Sequence, residues 1–153
     1  MGKHRAPRRA KKQAETTVAT IPPVPRILVV EDDQETALFT VHVLTHRGQY
    51  DVTHTTDARA ALRLATSEHW DLVLTDIDMP GMNGLDLADA LRREVPALPV
   101  AVVTAHAPAA MTSATFRRAE VYLEKPLRIE ALLDTAAALI GGTIACRYGD
   151  RDN

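Results

Sequence analysis

From Arg26 onward the chain alternates short apolar runs with stripes of apolar residues at helical spacing. Ile27-Leu28-Val29-Val30 has the length and continuity of a strand buried on both faces, and it ends in Glu31-Asp32-Asp33. Ala37, Leu38, Val41, Leu44 and Thr45 then predict a helix with these positions inward, stopped by Gly48. Tyr50 to Thr53 alternates as a second strand, and Asp57 is placed to cap a second helix carrying Ala58, Ala61, Leu62 and Ala65. Leu72, Val73 and Leu74 read as a third buried strand. The Met-Pro-Gly and Asn-Gly that follow forbid its continuation, so Asp76 falls at its carboxyl end. A third helix carries Leu87, Ala88, Leu91 and Val95; Pro96 and Pro99 turn the chain into a strand over Val100 to Val103, ending at Thr104-Ala105. A weaker helical segment covers about 109 to 118 and a fifth strand Val121 to Leu123. Lys125-Pro126 leads into a last helix with Ile129, Leu132, Leu133, Ala136 and Ile140, ended by Gly141-Gly142.

Strands alternating with helices predict an α/β fold with a parallel sheet, because parallel neighbours need crossover helices and those crossovers are right-handed. Five strands fit the flavodoxin-like order 2-1-3-4-5 with helices on both faces. Strands one and three then lie side by side where the winding reverses, which sets the acids after Val30 beside Asp76.

Composition narrows the class. The 153 residues, 46% hydrophobic and 25% charged, suit one domain over 26–140, and with only 4% aromatic residues its core must be aliphatic. The single cysteine, Cys146, supplies neither an intrachain disulfide nor a zinc cluster, which agrees with a reducing interior. No apolar run approaches membrane-spanning length, and no apolar stretch follows Arg8-Arg9 as an export signal requires, so the expected location is cytoplasmic. Lys3, Arg5, Arg8, Arg9, Lys11 and Lys12 make the start of the chain strongly basic within a net charge of −2. Residues 1–25, with four prolines and no periodicity, read as a disordered tail. Its basic run is of the kind that touches nucleic acid or acidic membrane, but a solvated tail is the preferred reading. Residues 141–153 read as a short C-terminal tail.

Four strand ends bring chemistry to one rim: Glu31-Asp32-Asp33, Asp76, Thr104 and Lys125. Carboxylates crowded together repel and raise each other's pKa, so the cluster calls for a cation, and an all-oxygen donor set suits Mg²⁺. Lys125 offers a compact positive charge for a carboxylate or a phosphoryl oxygen.

Val-Val-Glu-Asp-Asp, Asp76 followed by Met-Pro-Gly-Met-Asn-Gly, Thr104-Ala105 and Tyr-Leu-Glu-Lys-Pro stand in order at their strand ends, and on these marks residues 26–140 resemble the receiver domain of two-component response regulators. The resemblance implies a signalling protein rather than an enzyme in the usual sense. It would catalyse its own Mg²⁺-dependent phosphorylation and slow dephosphorylation, with Asp76 the phosphoacceptor from a sensor histidine kinase or a histidine phosphotransfer protein. Asp32 would touch Mg²⁺ directly, Glu31 through water and Asp78 through its backbone carbonyl, with Asp76 completing the set. Asp33 would be a loop residue, although the register Asp32 with Asp33 stays open. Lys125 would neutralise the phosphoryl group. Thr104 would hydrogen-bond it and, with Tyr122 turning inward, alter the face made by the fourth helix, fifth strand and fifth helix, where a downstream protein would bind. Ala105 would leave the phosphoryl accessible, Asp78 and His106 stand where its lifetime is tuned, and Lys125-Pro126 is a candidate cis peptide. Arg118-Ala119-Glu120 departs from the Gly-Ala common before the fifth strand. With so little chain after the last helix, the expectation is a stand-alone receiver.

Two other functions fit parts of the pattern. Asp76-Ile-Asp78 resembles the paired aspartates of haloacid-dehalogenase-type phosphatases, but Pro80 stands where that family expects Thr or Val. A receiver fold that binds a partner without being phosphorylated is the other. His42 and His46 lie one helical turn apart with no third ligand near and read as surface residues; Trp70 is expected at the base of strand three, and Met79 and Met82 as packing residues.

Overall fold

The computed structural model describes residues 23–106 and 111–142. The tails expected before and after these, with Cys146, and the first residues of the expected fourth helix lie outside the described residues. Five parallel strands, β1 (Arg26–Val30), β2 (Asp51–Thr55), β3 (Leu72–Asp76), β4 (Val100–Thr104) and β5 (Val121–Glu124), form one sheet in the order β2-β1-β3-β4-β5. The helices are α1 (Gln34–His42), α2 (Ala58–Ser67), α3 (Gly84–Glu94), α4 (Ser113–Phe116) and α5 (Ile129–Ile140).

The strict alternation of a strand sorts each apolar run onto two faces. Ile27, Val29, Leu72, Leu74, Ala101 and Val103 pack with Val43, Leu44, Leu132, Ala136 and Leu139, beneath α1 and α5. Leu28, Val30, Val73, Val100 and Val102 pack with Ala58, Ala61, Ala65, Leu87, Ala88 and Leu91, beneath α2 and α3. Each fully buried leucine contributes about 2 kcal/mol by area, while the alanines of α2 let that helix lie close to the sheet. Asp57 caps α2 as the sequence predicts, accepting the amides of Arg59 and Ala60, and α3 is capped by Asn83, which accepts the amide of Asp86 at 2.9 Å. Trp70 is buried at the foot of β3, its Nε1–H donating to the Leu64 carbonyl and its face covered by the Arg26 guanidinium 4.1 Å away. Met79 is buried and Met82 packs against the same core.

Three expectations need correction. On α1, Leu38 is 65% exposed and Thr45 is exposed, whereas Thr40 and Val43 are buried with Ala37 and Leu44. Ala37, Thr40, Val41 and Leu44 are the true stripe at i, i+3, i+4 and i+7; Leu38 and Thr45 each lie a further 100° round the helix. The helix then closes in a widened π turn over Val43–Arg47. The second strand starts and ends later than expected because β1 sets its length, pairing Arg26 with Asp51 through Val30 with Thr55. The fourth helix is a single turn. Thr112 caps it at Thr115, and the Arg118 amide closes it onto the Thr115 carbonyl. Arg118 then reaches across to α3, holding Asp89 with two nitrogens and Asp86 with one of them. Arg118, the first of the residues that break the common pattern before β5, thus ties the chain leaving α4 to α3.

Candidate functional site

All five strands run the same way, so every strand-end residue of the predicted set arrives at one rim. Asp76 is the last residue of β3 and only 5% exposed. Its Oδ2 lies 3.3 Å from the Lys125 Nζ, and its Oδ1 accepts the Asp78 amide at 3.4 Å. Glu31, one residue beyond β1 and 4% exposed, lies beside β3 and presents Oε2 to the same Lys125 nitrogen at 3.3 Å. The other Glu31 oxygen accepts the Asp33 amide at 3.1 Å. Asp32 is exposed, and one of its carboxylate oxygens lies within 4.8 Å of oxygens of both Glu31 and Asp76.

Asp33 faces elsewhere: its Oδ2 accepts the hydroxyl and the amide of Thr36, capping α1, and those two donors hold its pKa below the ordinary value. Thr104 ends β4 fully buried, its hydroxyl accepting the His106 amide at 3.0 Å and donating to the His106 carbonyl at 3.3 Å. Ala105, His106 and Asp78 are exposed. Tyr122, on β5, lays its ring against the α2–α3 side of the core, edge-on to Phe116 at 5.3 Å, and its hydroxyl donates to the Thr115 carbonyl. Burial pushes the Tyr122 phenol above its usual pKa. The Lys125-Pro126 peptide is cis, as the sequence suggests, and the Lys125 amide donates to the Thr104 carbonyl at 2.7 Å, which carries the lysine to the rim. His42 and His46 lie side by side on the surface, their rings tilted by 44° with centroids 4.4 Å apart.

The electrostatics are unbalanced by design of the fold. Three carboxylates cluster here, and the one ammonium is shared by two of them, Glu31 and Asp76. Burial drives the Glu31 carboxyl up from 4.5 to about 7, with the Asp76 charge adding to it and the Asp33 amide and Lys125 opposing. Burial works to lower the Lys125 pKa, but Asp76 and Glu31 outweigh it and hold it above its ordinary value. A hard divalent cation fits this site on the donor set alone: closely spaced carboxylate oxygens, one of them on an exposed residue, and no sulfur or imidazole among the clustered groups.

A pH dependence follows from Glu31. Because its folded pKa lies above 4.5, its contribution to stability is complete below pH 4.5 and disappears as pH rises through about 7. Thermal unfolding without divalent ion is expected to show a loss of at most about 3 kcal/mol from this group over that window, and Glu31→Gln flattens it. A variant with an unchanged pH profile contradicts the assignment.

Sequence reasoning missed three groups. His54 on β2 places Nε2 2.8 Å from the Glu31 carbonyl oxygen, a contact across 23 positions that no local pattern announces. Arg118 is the second, flagged by sequence only as a departure. Gly84 is the third. It reads as a turn signal, but its Cα passes directly against the Asp76 main chain.

The comparisons with known proteins agree with this geometry. The family model described as "Response regulator receiver domain" matches residues 27–137. The two-component response regulator ARR10 of Arabidopsis thaliana is 41% identical over 110 residues, covering 70% of this chain and 20% of the relative. The response regulator ArlR of Staphylococcus aureus is 33% identical over 122 residues, covering 75% of this chain and 52% of the relative. The chain therefore spans about a fifth to a half of the length of these curated relatives. The crystal structure of the response regulator protein TrrA from Thermotoga maritima, in complex with Mg(2+)-BeF, superposes with a TM-score of 0.69 at 25% identity, covering 76% of this chain and 99% of that one. Among the described residues no helix is long and apolar enough to cross a membrane. With its strand order, its rim of acids and lysine, and a family model matching most of its length, this chain belongs to the receiver-domain family of two-component response regulators.

Proposed function

We propose that this receiver takes a phosphoryl group on Asp76 from the phosphohistidine of a sensor histidine kinase or a histidine phosphotransfer protein, and switches the binding of a downstream partner. The observation that carries the reading is the nearly buried Asp76 carboxylate, 3.3 Å from the Lys125 ammonium and clustered with Glu31 and Asp32. An Asp76 oxygen forms the new P–O bond while the P–N bond to the donor imidazole breaks, and the ring nitrogen keeps the electron pair. Lys125 meets charge on the phosphoryl oxygens. Asp32, Asp76, the Asp78 backbone carbonyl and, through water, Glu31 would hold Mg²⁺, which when bound would neutralise phosphoryl charge. Glu31 with Asp32 is the acidic pair, because Asp33 spends its carboxylate on the α1 cap.

Thr104 gives up its hydrogen bonds to His106 and turns its hydroxyl to the phosphoryl group; Tyr122 follows, and the α4, β5 and α5 face changes its fit for a partner. Residues 26–140 form the receiver, and its own turnover is limited to phosphorylation and slow dephosphorylation.

The test is incubation with Mg²⁺ and acetyl phosphate followed by intact mass. One phosphoryl adduct, absent when EDTA replaces Mg²⁺, supports the reading. No adduct on folded protein with Mg²⁺ present overturns it in favour of an unphosphorylated binding module. Steady hydrolysis of unrelated phosphate esters overturns it in favour of a phosphatase.

A further inference from the structure

We propose that His54 is a positioning residue for the acidic pair: its Nε2–H, donated to the Glu31 carbonyl, fixes the Glu31–Asp32 peptide plane and thereby aims the Asp32 carboxylate into the cation site. The inference rests on the divalent-cation reading above. It begins where the sheet runs out. β1 ends at Val30, and the last rung toward β2 is the Glu31 amide on the Thr55 carbonyl at 3.1 Å. In a continued parallel ladder the Glu31 carbonyl would next accept the Asp57 amide. That amide instead turns to the Thr55 hydroxyl at 3.4 Å as β2 gives way to the capped start of α2. The His54 side chain supplies the missing donor at 2.8 Å. A carbonyl only accepts, so Nε2 carries the hydrogen.

The consequence passes through covalent geometry. The peptide unit is planar, so holding the Glu31 oxygen also sets the direction of the Asp32 amide and Cα. The neighbouring carboxylates have their own restraints: Glu31 is held by the Asp33 amide and Lys125, and Asp33 by Thr36. Among the described residues the exposed Asp32 carboxylate has no such hold, and its aim depends on its backbone. His54 is itself exposed on an edge strand, so its replacement removes no core packing. Partners of this kind behind metal ligands change affinity without touching the ion.

The experiment compares wild type, His54→Leu and His54→Gln by amide chemical-shift titration with Mg²⁺ alone, with no phosphoryl donor. Leucine removes the donor, and glutamine returns an N–H at similar reach. His54→Leu is expected to weaken Mg²⁺ binding about five- to ten-fold, toward the lower end of such effects, and His54→Gln to stay within about two-fold of wild type. The Asp32 amide shift in Mg²⁺-free protein should move in the leucine variant and return in the glutamine variant. Wild-type affinity in His54→Leu overturns the inference while leaving the cation reading intact, as does a glutamine variant as weak as the leucine one. Failure of the wild type to bind Mg²⁺ overturns both.

Discussion

Asp76→Asn is expected to abolish the phosphoryl adduct altogether while leaving the fold in place. The carboxamide matches the carboxylate in size and keeps an oxygen for the Asp78 amide, so the end of β3 has no steric reason to move. What disappears is the nucleophile: an amide oxygen does not form the acyl phosphate, and among the described residues the neighbouring groups are otherwise engaged. Thr75 is fully buried with its hydroxyl donating to the Asp76 carbonyl. Glu31 is the nearer rival, but it is held by the Asp33 amide and Lys125, and burial favours its neutral form up to about pH 7. Intact mass after acetyl phosphate and Mg²⁺ should show no adduct, and an adduct of wild-type yield would remove Asp76 from the mechanism. A second readout separates loss of the nucleophile from general damage. Asp76 is one of the charges holding Glu31 up, so the Glu31 carboxyl should titrate lower in the variant than in the wild type. A Glu31 titration unchanged from wild type would mean that the two carboxylates do not sense each other.

The parts of this site that were legible in the sequence share one property: each is carried by a strand end. Ile27 to Val30 and Leu72 to Leu74 are continuous apolar runs, so their ends are marked by the first acids, and parallel order brings those ends to one rim. Glu31, Asp32, Asp76, Thr104 and Lys125 are all placed by that argument alone. The family resemblance added their roles, and the cis Lys125-Pro126 bond agrees with it.

What the sequence hid are contacts between elements that no period encodes. His54 sits on an edge strand whose polar positions look solvent-facing, and its partner is a main-chain carbonyl, which has no letter in the sequence. Arg118 looks like a disruption before β5 because its carboxylate partners, Asp86 and Asp89, belong to α3, 32 and 29 positions away. The error on α1 has a different origin. The sequence reading placed Leu38 and Thr45 on the inner stripe and left Thr40 out of it, but helix geometry decides burial, and Thr40 lies on the stripe facing the sheet. The exposed Leu38 and Phe39 are the remainder of that exchange.

Gly84→Ala is expected to be among the most damaging single changes in the domain, and its damage should reach the proposed phosphorylation site at Asp76. Gly84 opens α3 after the Asn83 cap, and its amide donates to the Ile77 carbonyl at 3.0 Å. A β-carbon there would lie far inside contact distance of the Asp76 carbonyl oxygen, 2.8 Å from the Asp76 carbonyl carbon and 3.1 Å from the Ile77 Cα. All three are main-chain atoms at the end of β3, in Asp76 and Ile77, so no side chain can rotate away. Relief requires α3 to lift from the sheet, where Leu87, Ala88 and Leu91 are buried, or the Asp76–Ile77 backbone to shift, which moves the Asp76 carboxylate away from Lys125. Either route costs about 3 kcal/mol or more, the upper part of the range for overpacking against a rigid neighbour. Chemical denaturation should report that loss of stability. Under conditions where the variant is still folded, its rate of phosphorylation by acetyl phosphate should also fall, by about ten-fold or more, because a misplacement near 1 Å is enough to spoil an in-line geometry. Gly81, in the same loop, makes the control: its φ of +78° is strained for alanine, but nothing lies within 4 Å of an added β-carbon. Gly81→Ala should therefore cost only about 1 kcal/mol of backbone strain. Equal losses in the two variants would show that the close approach of α3 to the Asp76 main chain is not what Gly84 provides.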